Sequence, residues 1–250
     1  MATWNIRNGR ALDGFNSWPF RRSTLAAAIA DLDADLVALQ EAYGFQQRLL
    51  LARLTAFSAA GAGRDDGRER GERCAVLYRR SRLELVRQTT RWFSDDPDLP
   101  GSRGWGNPLP RIVTLAWFHD LAADRRFGLA NAHWDGASAA SRVRSAEALL
   151  TWLEPGLPWI VAGDLNATVD DAAVQRLLAA GLTDVLDRLD AAGPGVATHH
   201  GFSGATDGTR IDYILVSGEW HVEAAGIEHP RPGGRLPSDH WPVVAHLRWV

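Results

Sequence analysis

The order of apolar and polar positions divides the chain into short apolar runs and longer segments with helical spacing. The short runs are rich in aliphatic residues and are bounded by polar or turn-forming positions, which is typical of β-strands. They cover residues 3–6, 36–40, 74–78, 112–117, 127–132, 159–162, 211–216 and 242–249. Each of these runs predicts a strand.

Between several of these runs, apolar residues recur at helical spacing. Such patterns lie on either side of the 36–40 run, formed by Leu25, Ile29 and Leu32 and by Leu49, Leu50 and Leu54. Ser138 can cap a helix that runs to Leu153, and Asp170 or Asp171 can begin another that ends near Gly181. Strands mixed with helices over residues 1–250 predict a layered α/β protein made of a single domain.

Length and composition place the chain among ordinary globular proteins. The chain has 250 residues, of which 46% are hydrophobic and 23% are charged. No apolar run is long enough to cross a membrane, and the start of the chain lacks a signal-peptide pattern. Cys74 is the only cysteine, which excludes an internal disulfide and a cysteine-rich zinc site. We expect a cytoplasmic monomer without a membrane segment.

The charge balance bears on the kind of partner. The formal net charge of −3 argues mildly against nucleic acid, because proteins that bind phosphate backbones usually carry a basic patch or a basic total. Residues 64–73 form the most charged stretch, in which four arginines are matched by four acids. We predict that this stretch is a solvated loop.

Several predicted strands end in a polar residue that could carry chemistry. These residues are Asn5, Glu41, His133, Asp164, Asp212, Asp239 and His240. Each has an ordinary structural explanation when taken alone, such as a turn amide, a solvated strand end or a strand-entry turn. Strand ends gathered at one edge of a sheet are, however, where layered α/β proteins build their sites.

Five short motifs occur in a specific order over nearly the whole chain. They are Asn5 in "TWNIRNG", Glu41 in "LVALQEA", the "GDLN" turn at 163–166, "RIDYILVS" at 210–217 and "SDH" at 238–240. In this order they resemble the endonuclease/exonuclease/phosphatase superfamily, also called deoxyribonuclease I-like, and loop motifs at 5–22, 71–85, 98–114 and 198–204 resemble a bacterial phosphatase-like branch. The resemblance implies a four-layer α/β sandwich in which two packed, mostly antiparallel β-sheets are flanked by α-helices.

The resemblance also implies a catalytic site. Glu41 would be the main ligand of Mg²⁺ or Mn²⁺, with Asn5 and Asp239 close by, since hard oxygen ligands suit these cations. Asp164 would orient or deprotonate the attacking water, and Asn166 would hydrogen-bond the phosphate or a water on the metal. A single residue separates these two on an extended segment, so their side chains share a face.

Two histidines complete the implied site. His240 would pair with Asp212, which fixes the imidazole tautomer and favours its charged form. His133 would contact a phosphoryl oxygen, and we hypothesise that Glu72 pairs with it. Arg111 matches a phosphate-binding arginine of the family, although a plain surface arginine is an alternative. Trp134 and His200 are candidates for the substrate rim together with Trp18 and Trp105, the alternative being that these residues pack in the core or in loops.

The predicted activity is hydrolysis of a phosphoester by direct in-line attack of water. We favour a small phosphorylated substrate, either a monoester or a compact diester, over nucleic acid because of the acidic charge balance and the tryptophan-containing loops. Arg7 stands where abasic-site endonucleases of the family carry an acid, which argues against that branch. A magnesium-dependent endonuclease using the same residues is the first alternative, and a non-catalytic phosphate-binding module is a remote one.

Overall fold

A computed structural model describes residues 1–189 and 196–250, which form two β-sheets and four α-helices. The helices are α1 (Trp18–Asp31), α2 (Gly44–Arg53), α3 (Ala139–Trp152) and α4 (Ala172–Ala179). The strands are β1 (Ala2–Asn5), β2 (Leu36–Tyr43), β3 (Phe57–Ala60), β4 (Glu72–Arg79), β5 (Leu83–Trp92), β6 (Ile112–Asp120), β7 (Arg125–His133), β8 (Trp159–Asp164), β9 (Thr183–Asp184), β10 (Asp212–Val216), β11 (Trp220–Ile227) and β12 (Val243–Trp249).

The two sheets have the same plan. The first sheet has the order β11-β12-β1-β2-β4-β3, and the second has the order β5-β6-β7-β8-β10-β9. In each sheet one central pair is parallel, β1 with β2 and β7 with β8, and the other neighbours are antiparallel. The predicted pair of mostly antiparallel sheets is confirmed.

Three apolar clusters hold four layers together. The central cluster lies between the sheets and includes Ala38 and Val76 from the first sheet and Phe118 and Ile160 from the second. A second cluster packs α1 and α2 on the first sheet, and a third packs α3 and α4 on the second sheet. The layer order is therefore helices, sheet, sheet, helices, as the resemblance implied. In the part of the chain that the structure describes, no helix combines the length and the apolar character that a membrane span requires.

The predicted helix starts on the second sheet are confirmed. The Ser138 side chain accepts a hydrogen bond from the Ser141 backbone N–H and caps α3. The Asp171 side chain accepts from the Ala173 N–H and caps α4. Each cap satisfies one of the backbone donors that a helix leaves without an internal partner in its first turn.

Four strands were not predicted from the sequence, namely β3, β5, β9 and β11. They are the edge strands of the two sheets. The apolar runs of the sequence correspond to the central strands, β1, β2, β4, β6, β7, β8, β10 and β12. The edge strands β5 and β11 carry exposed polar residues, and β3 and β9 have only four and two residues, so none of the four shows a long apolar run.

Candidate active site

The polar strand ends named above meet at one edge of the two sheets. In the second sheet, His133 and Asp212 are each directly opposite Asp164 in the strand pairing. In the first sheet, Asn5 ends β1 and Glu41 lies in the irregular part of β2, while Asp239 and His240 precede β12, which pairs with β1. Side chains from distant parts of the sequence therefore face one pocket.

Gly163 allows the two central strands of the second sheet to approach closely at this edge. Its φ is +145°, and a Cβ atom built on it would lie only 1.9 Å from the Ala132 carbonyl oxygen. A larger residue would push β8 away from β7 and move Asp164 relative to His133. The glycine before the aspartate of the "GDLN" turn thus has a steric role.

Glu41 and Asp239 supply carboxylate oxygens to the pocket lining, and the oxygen of the neighbouring Asn5 side chain accepts from the Arg7 backbone N–H at 3.0 Å. The Asn5 amide nitrogen lies between two carboxylates and donates to Glu41 Oε1 at 3.2 Å and to Asp164 Oδ2 at 2.9 Å. Arg7 Nε lies 3.6 Å from Asp239 Oδ2. The donor set fits Mg²⁺ or Mn²⁺, which prefer carboxylate and amide oxygens.

Asp164 is the buried centre of the site. Its Oδ1 accepts a hydrogen bond from the Asn166 backbone N–H at 2.9 Å, and the Asn166 side chain donates to the Trp134 carbonyl at 3.0 Å. Burial, with the nearby charge of Asp212, raises the pKa of Asp164 to about 7. A carboxylate with such a pKa can accept a proton near neutral pH.

His240 and Asp212 form the implied histidine–aspartate contact. His240 Nδ1 lies 2.8 Å from Asp212 Oδ2, and both residues are buried. Burial disfavours the imidazolium, but the charge and the hydrogen bond of Asp212 outweigh it and raise the pKa of His240 to about 10. The other ring nitrogen, Nε2, points to the Asp164 side and lies 3.9 Å from its Oδ2.

His133 contacts Arg111 rather than Glu72. Arg111 Nη1 lies 3.2 Å from His133 Nε2, and a guanidinium can only donate, so this ring nitrogen accepts. Burial and the charges of Arg111 and Arg64 hold the pKa of His133 well below its usual value. The hypothesised His133–Glu72 pair is wrong, because Glu72 instead forms an ion pair with Arg64 and accepts from the Asn8 side chain.

These groups surround one pocket of about 410 Å³. The predicted residues that line it are Glu41, Glu72, Arg111, His133, Asp164, Asn166, Asp239 and His240. The pocket is also lined by residues that the sequence did not single out, among them Arg64, Asn8 and His199. Arg64 is 8% exposed, so the charged stretch 64–73 does not form the purely solvated loop that we expected. Its ion pair with buried Glu72 draws it inward.

Two predicted substrate-binding residues lie elsewhere. Trp134 is fully buried and packs edge to face on Phe93, at a ring-centroid distance of 6.4 Å. His200 is 7% exposed, stacks on Trp241 and accepts from the Gly204 backbone N–H. Both follow a pocket-lining histidine, and successive side chains of an extended segment point to opposite faces. His133 and His199 therefore face the pocket, whereas Trp134 and His200 do not.

A buried arginine holds the segments that carry two candidate metal ligands. Arg21, on α1, donates to the backbone carbonyls of Ile6, Arg7 and Pro237, and its Nε donates to the Asn16 carbonyl. Ile6 follows Asn5, and Pro237 is two residues before Asp239. Arg21 thus ties the end of β1 to the "SDH" segment, a role that no short motif indicated.

A buried pair of amides joins the sheets beneath the site. Gln40 Nε2 donates to Asn131 Oδ1 at 2.7 Å, and Asn131 Nδ2 donates to the carbonyls of Leu39 and Ala75. The hydrogen bonds run from β2 and β4 of the first sheet to β7 of the second. They fix the separation and register of the two strand ends that carry Glu41 and His133, since buried polar groups keep their partners.

A protein-family model and several solved structures match this chain. The model of a family described as the endonuclease/exonuclease/phosphatase family matches residues 2–240. A curated relative, the uncharacterized protein L388 of Acanthamoeba polyphaga mimivirus, is 36% identical over 63 residues. That match covers 24% of this chain and 23% of the viral protein, so the chain aligns with about a quarter of that relative.

Solved structures cover the chain far more completely. The crystal structure of an endonuclease/exonuclease/phosphatase from Bacteroides vulgatus is 30% identical with a TM-score of 0.92, over 100% of this chain and 98% of that one. A mannosyl-6-phosphatase of Bacteroides thetaiotaomicron VPI-5482 is 29% identical with a TM-score of 0.91, over 99% of this chain and 98% of that one. The similarity thus includes the whole arrangement of the two sheets.

Proposed function

The chain belongs to the endonuclease/exonuclease/phosphatase family of phosphoester hydrolases, and from this premise we propose that it is a divalent-metal-dependent phosphatase of small phosphorylated molecules. The observation that carries the proposal is the convergence of Glu41, Asp164 and His240 on one pocket of about 410 Å³. A pocket of this size suits a small ligand, since small-molecule sites measure about 300–1,000 Å³.

Glu41 and Asp239 would hold the cation, because their carboxylates line the pocket, and Asn5 would assist them from its position beside Glu41. When bound, a divalent cation neutralises charge on phosphoryl oxygens and favours attack by a nucleophile. The Asn5 side chain also separates Glu41 from Asp164, and its amide nitrogen donates to both carboxylates. In this proposal Glu41 binds the cation and Asp164 acts on water.

Asp164 would orient the attacking water and accept its proton. It is held by hydrogen bonds from Asn5 and from the Asn166 backbone, which aim the carboxylate at the pocket. Its pKa of about 7 suits proton transfer near neutral pH. Attack by this water would displace the alcohol directly, without a covalent enzyme intermediate.

His240 would stabilise the negative charge that develops on the phosphoryl group. Asp212 holds Nδ1, which leaves the Nε2–H free to donate into the pocket. Arg111 and Arg64 add two further cationic groups to the pocket lining. Preorganised donors of this kind stabilise developing charge in phosphoryl transfer.

Two observations favour a small phosphomonoester over nucleic acid. The net charge of −3 gives no general attraction for a polyanion. The mannosyl-6-phosphatase from Bacteroides thetaiotaomicron aligns over nearly the full length of both chains at 29% identity. We therefore propose a sugar phosphate or a similar polyol phosphate as the substrate.

Two assays in Mg²⁺ or Mn²⁺ test the proposal. One measures release of inorganic phosphate from sugar and nucleotide phosphates, and the other measures nicking of supercoiled plasmid. We expect phosphate release, and a loss of about 10²–10⁴-fold in kcat for Asp164→Asn, as is usual when a general base is removed. Asp31→Asn, at the exposed end of α1, is the matched control and should keep full activity. Rapid nicking without phosphate release would instead identify a nuclease, and full activity in Asp164→Asn would refute the assigned role.

A further inference from the structure

A group of potential ligands on the His240 side of the pocket differs in chemistry from the oxygen donors around Glu41. One ligand atom from each of His199, Asp239 and His240 lies within 4.8 Å of the other two. The set contains two imidazole nitrogens and one carboxylate oxygen. Mg²⁺ binds such a nitrogen-rich set poorly, whereas Zn²⁺ readily takes imidazole and carboxylate ligands.

His240 is oriented as histidine ligands of metals usually are. Its Nδ1 is held at 2.8 Å by Asp212, which leaves Nε2 on the pocket side. A carboxylate on the outer ring nitrogen fixes the tautomer and raises the basicity of the ligating nitrogen. Asp212 is fully buried and cannot turn away from the ring.

His199 is placed to complete the set. Its backbone pairs with His240 in an isolated antiparallel bridge, and the two imidazole centroids are 4.8 Å apart. The His199 residue is exposed at the pocket mouth, so its ring can rotate to shorten the ligand distances. His200 cannot replace it, because that ring is packed on Trp241.

The charges around the set favour a cation. Asp164, Asp212 and Asp239 lie close to His240, and Arg7 opposes them as a cation 3.6 Å from Asp239. Asp239 is also a proposed ligand for the magnesium side of the site. An ion on the histidine set would therefore remove both His240 and Asp239 from the hydrolytic machinery.

We infer that His199, Asp239 and His240 form a binding site for Zn²⁺, and that an ion bound there inhibits hydrolysis. The inhibitory part rests on the proposed function, whereas the binding part does not. Three protein ligands and a solvent-facing position are typical of an open zinc site. Binding releases the proton of His240 Nε2 to solvent, because a ligating nitrogen must be deprotonated.

Binding is tested first, without any substrate. Metal-free protein competes with a chromophoric chelator for Zn²⁺, and Co²⁺ is used separately as a spectroscopic probe of coordination. We expect one equivalent of Zn²⁺ to bind, and Asp212→Asn to weaken the affinity by about 10- to 100-fold, as is usual for an outer-shell partner. His199→Asn should weaken it at least as much and abolish the Co²⁺ absorption bands.

The matched control is His221→Asn, which removes an exposed histidine of β11. It should bind Zn²⁺ as the wild type does. Equal affinity in the wild type and in His199→Asn would place the ion elsewhere and overturn the inference, as would the absence of tight binding to the wild type.

Inhibition is tested second, with Zn²⁺ added to the Mg²⁺-dependent reaction and each variant normalised to its own rate. The inhibitory Zn²⁺ concentration should rise by about tenfold or more in His199→Asn, in line with the loss of affinity, and stay unchanged in His221→Asn. If the protein binds Zn²⁺ through His199 but hydrolyses nothing in Mg²⁺, the proposed function fails while the site stands. If hydrolysis proceeds and His199→Asn does not alter Zn²⁺ inhibition, the inferred inhibition fails while the proposed function stands.

Discussion

Replacing Arg21 with methionine should destabilise the fold and displace two segments of the candidate site. Arg21 is 1% exposed, and its guanidinium donates four hydrogen bonds to backbone carbonyls, at 2.6 to 3.1 Å. Three of these carbonyls belong to Ile6, Arg7 and Pro237, next to the proposed cation ligands. Methionine fills a similar volume but donates nothing, so the carbonyls lose their partners.

The expected loss of stability in Arg21→Met depends on two opposing contributions, the gain from these hydrogen bonds and the cost of burying the charge. Hydrogen bonds to a charged group contribute about 1.5–3 kcal/mol each, or about 6–12 kcal/mol for four. Burial lowers the pKa of Arg21 from 12.5 to about 10, and at 1.36 kcal/mol per pKa unit this costs about 3 kcal/mol of the gain. Because water can satisfy some of the freed carbonyls, we expect Arg21→Met to lose about 3–5 kcal/mol, near the lower end of the remaining gain.

Urea unfolding measures the loss of stability, and steady-state kinetics at saturating Mg²⁺ measure the displacement of the site. Arg22→Met removes the exposed neighbouring arginine and is the matched control, with an expected change within about 0.5 kcal/mol. Arg21→Lys should recover part of the stability, since one ammonium cannot reach four carbonyls. We expect kcat of Arg21→Met to fall by at least about tenfold, as misplacement of site groups lowers turnover. An unfolding midpoint of Arg21→Met equal to that of Arg22→Met would refute the reasoning.

Three further predictions concern other parts of the structure. The Gly163→Ala variant should lose more than about 3 kcal/mol of stability because of backbone strain and the clash with Ala132. The control variant Gly156→Ala has open space around the new methyl group and should lose about 1–2 kcal/mol. Equal urea-unfolding midpoints for these two variants would contradict this prediction. Burial favours protonated Asp120, but hydrogen bonds from Trp249 and backbone N–H groups outweigh it and hold its pKa below the usual 3.8. The stability that Asp120 adds is thus present above pH 3.8 and is lost as the pH falls through its folded pKa, so the gap in urea midpoint between wild type and Asp120→Asn should narrow at acid pH. Trp134→Phe should lower stability in thermal melts but leave KM unchanged, because the indole lies in the core; a raised KM would restore Trp134 to the substrate rim.

The central strands of both sheets could be predicted from the sequence because they are covered on both faces. A run such as residues 159–162 must be apolar throughout when sheet and helices pack on either side of it. The edge strands β5 and β11 carry exposed polar side chains, and their strand character depends on a neighbour that is distant in sequence. Only the assembled sheet reveals it.

The kinds of residue in the candidate site could also be predicted, since Asp164 and His240 stand in short motifs at strand ends. What the tertiary structure decided is which member of an adjacent pair faces the pocket, as for His199 beside His200 and for His133 beside Trp134. It also decided that Arg64 turns inward to meet Glu72. These outcomes depend on the direction of each side chain and on the path of loops, which are set by packing between residues far apart in the sequence.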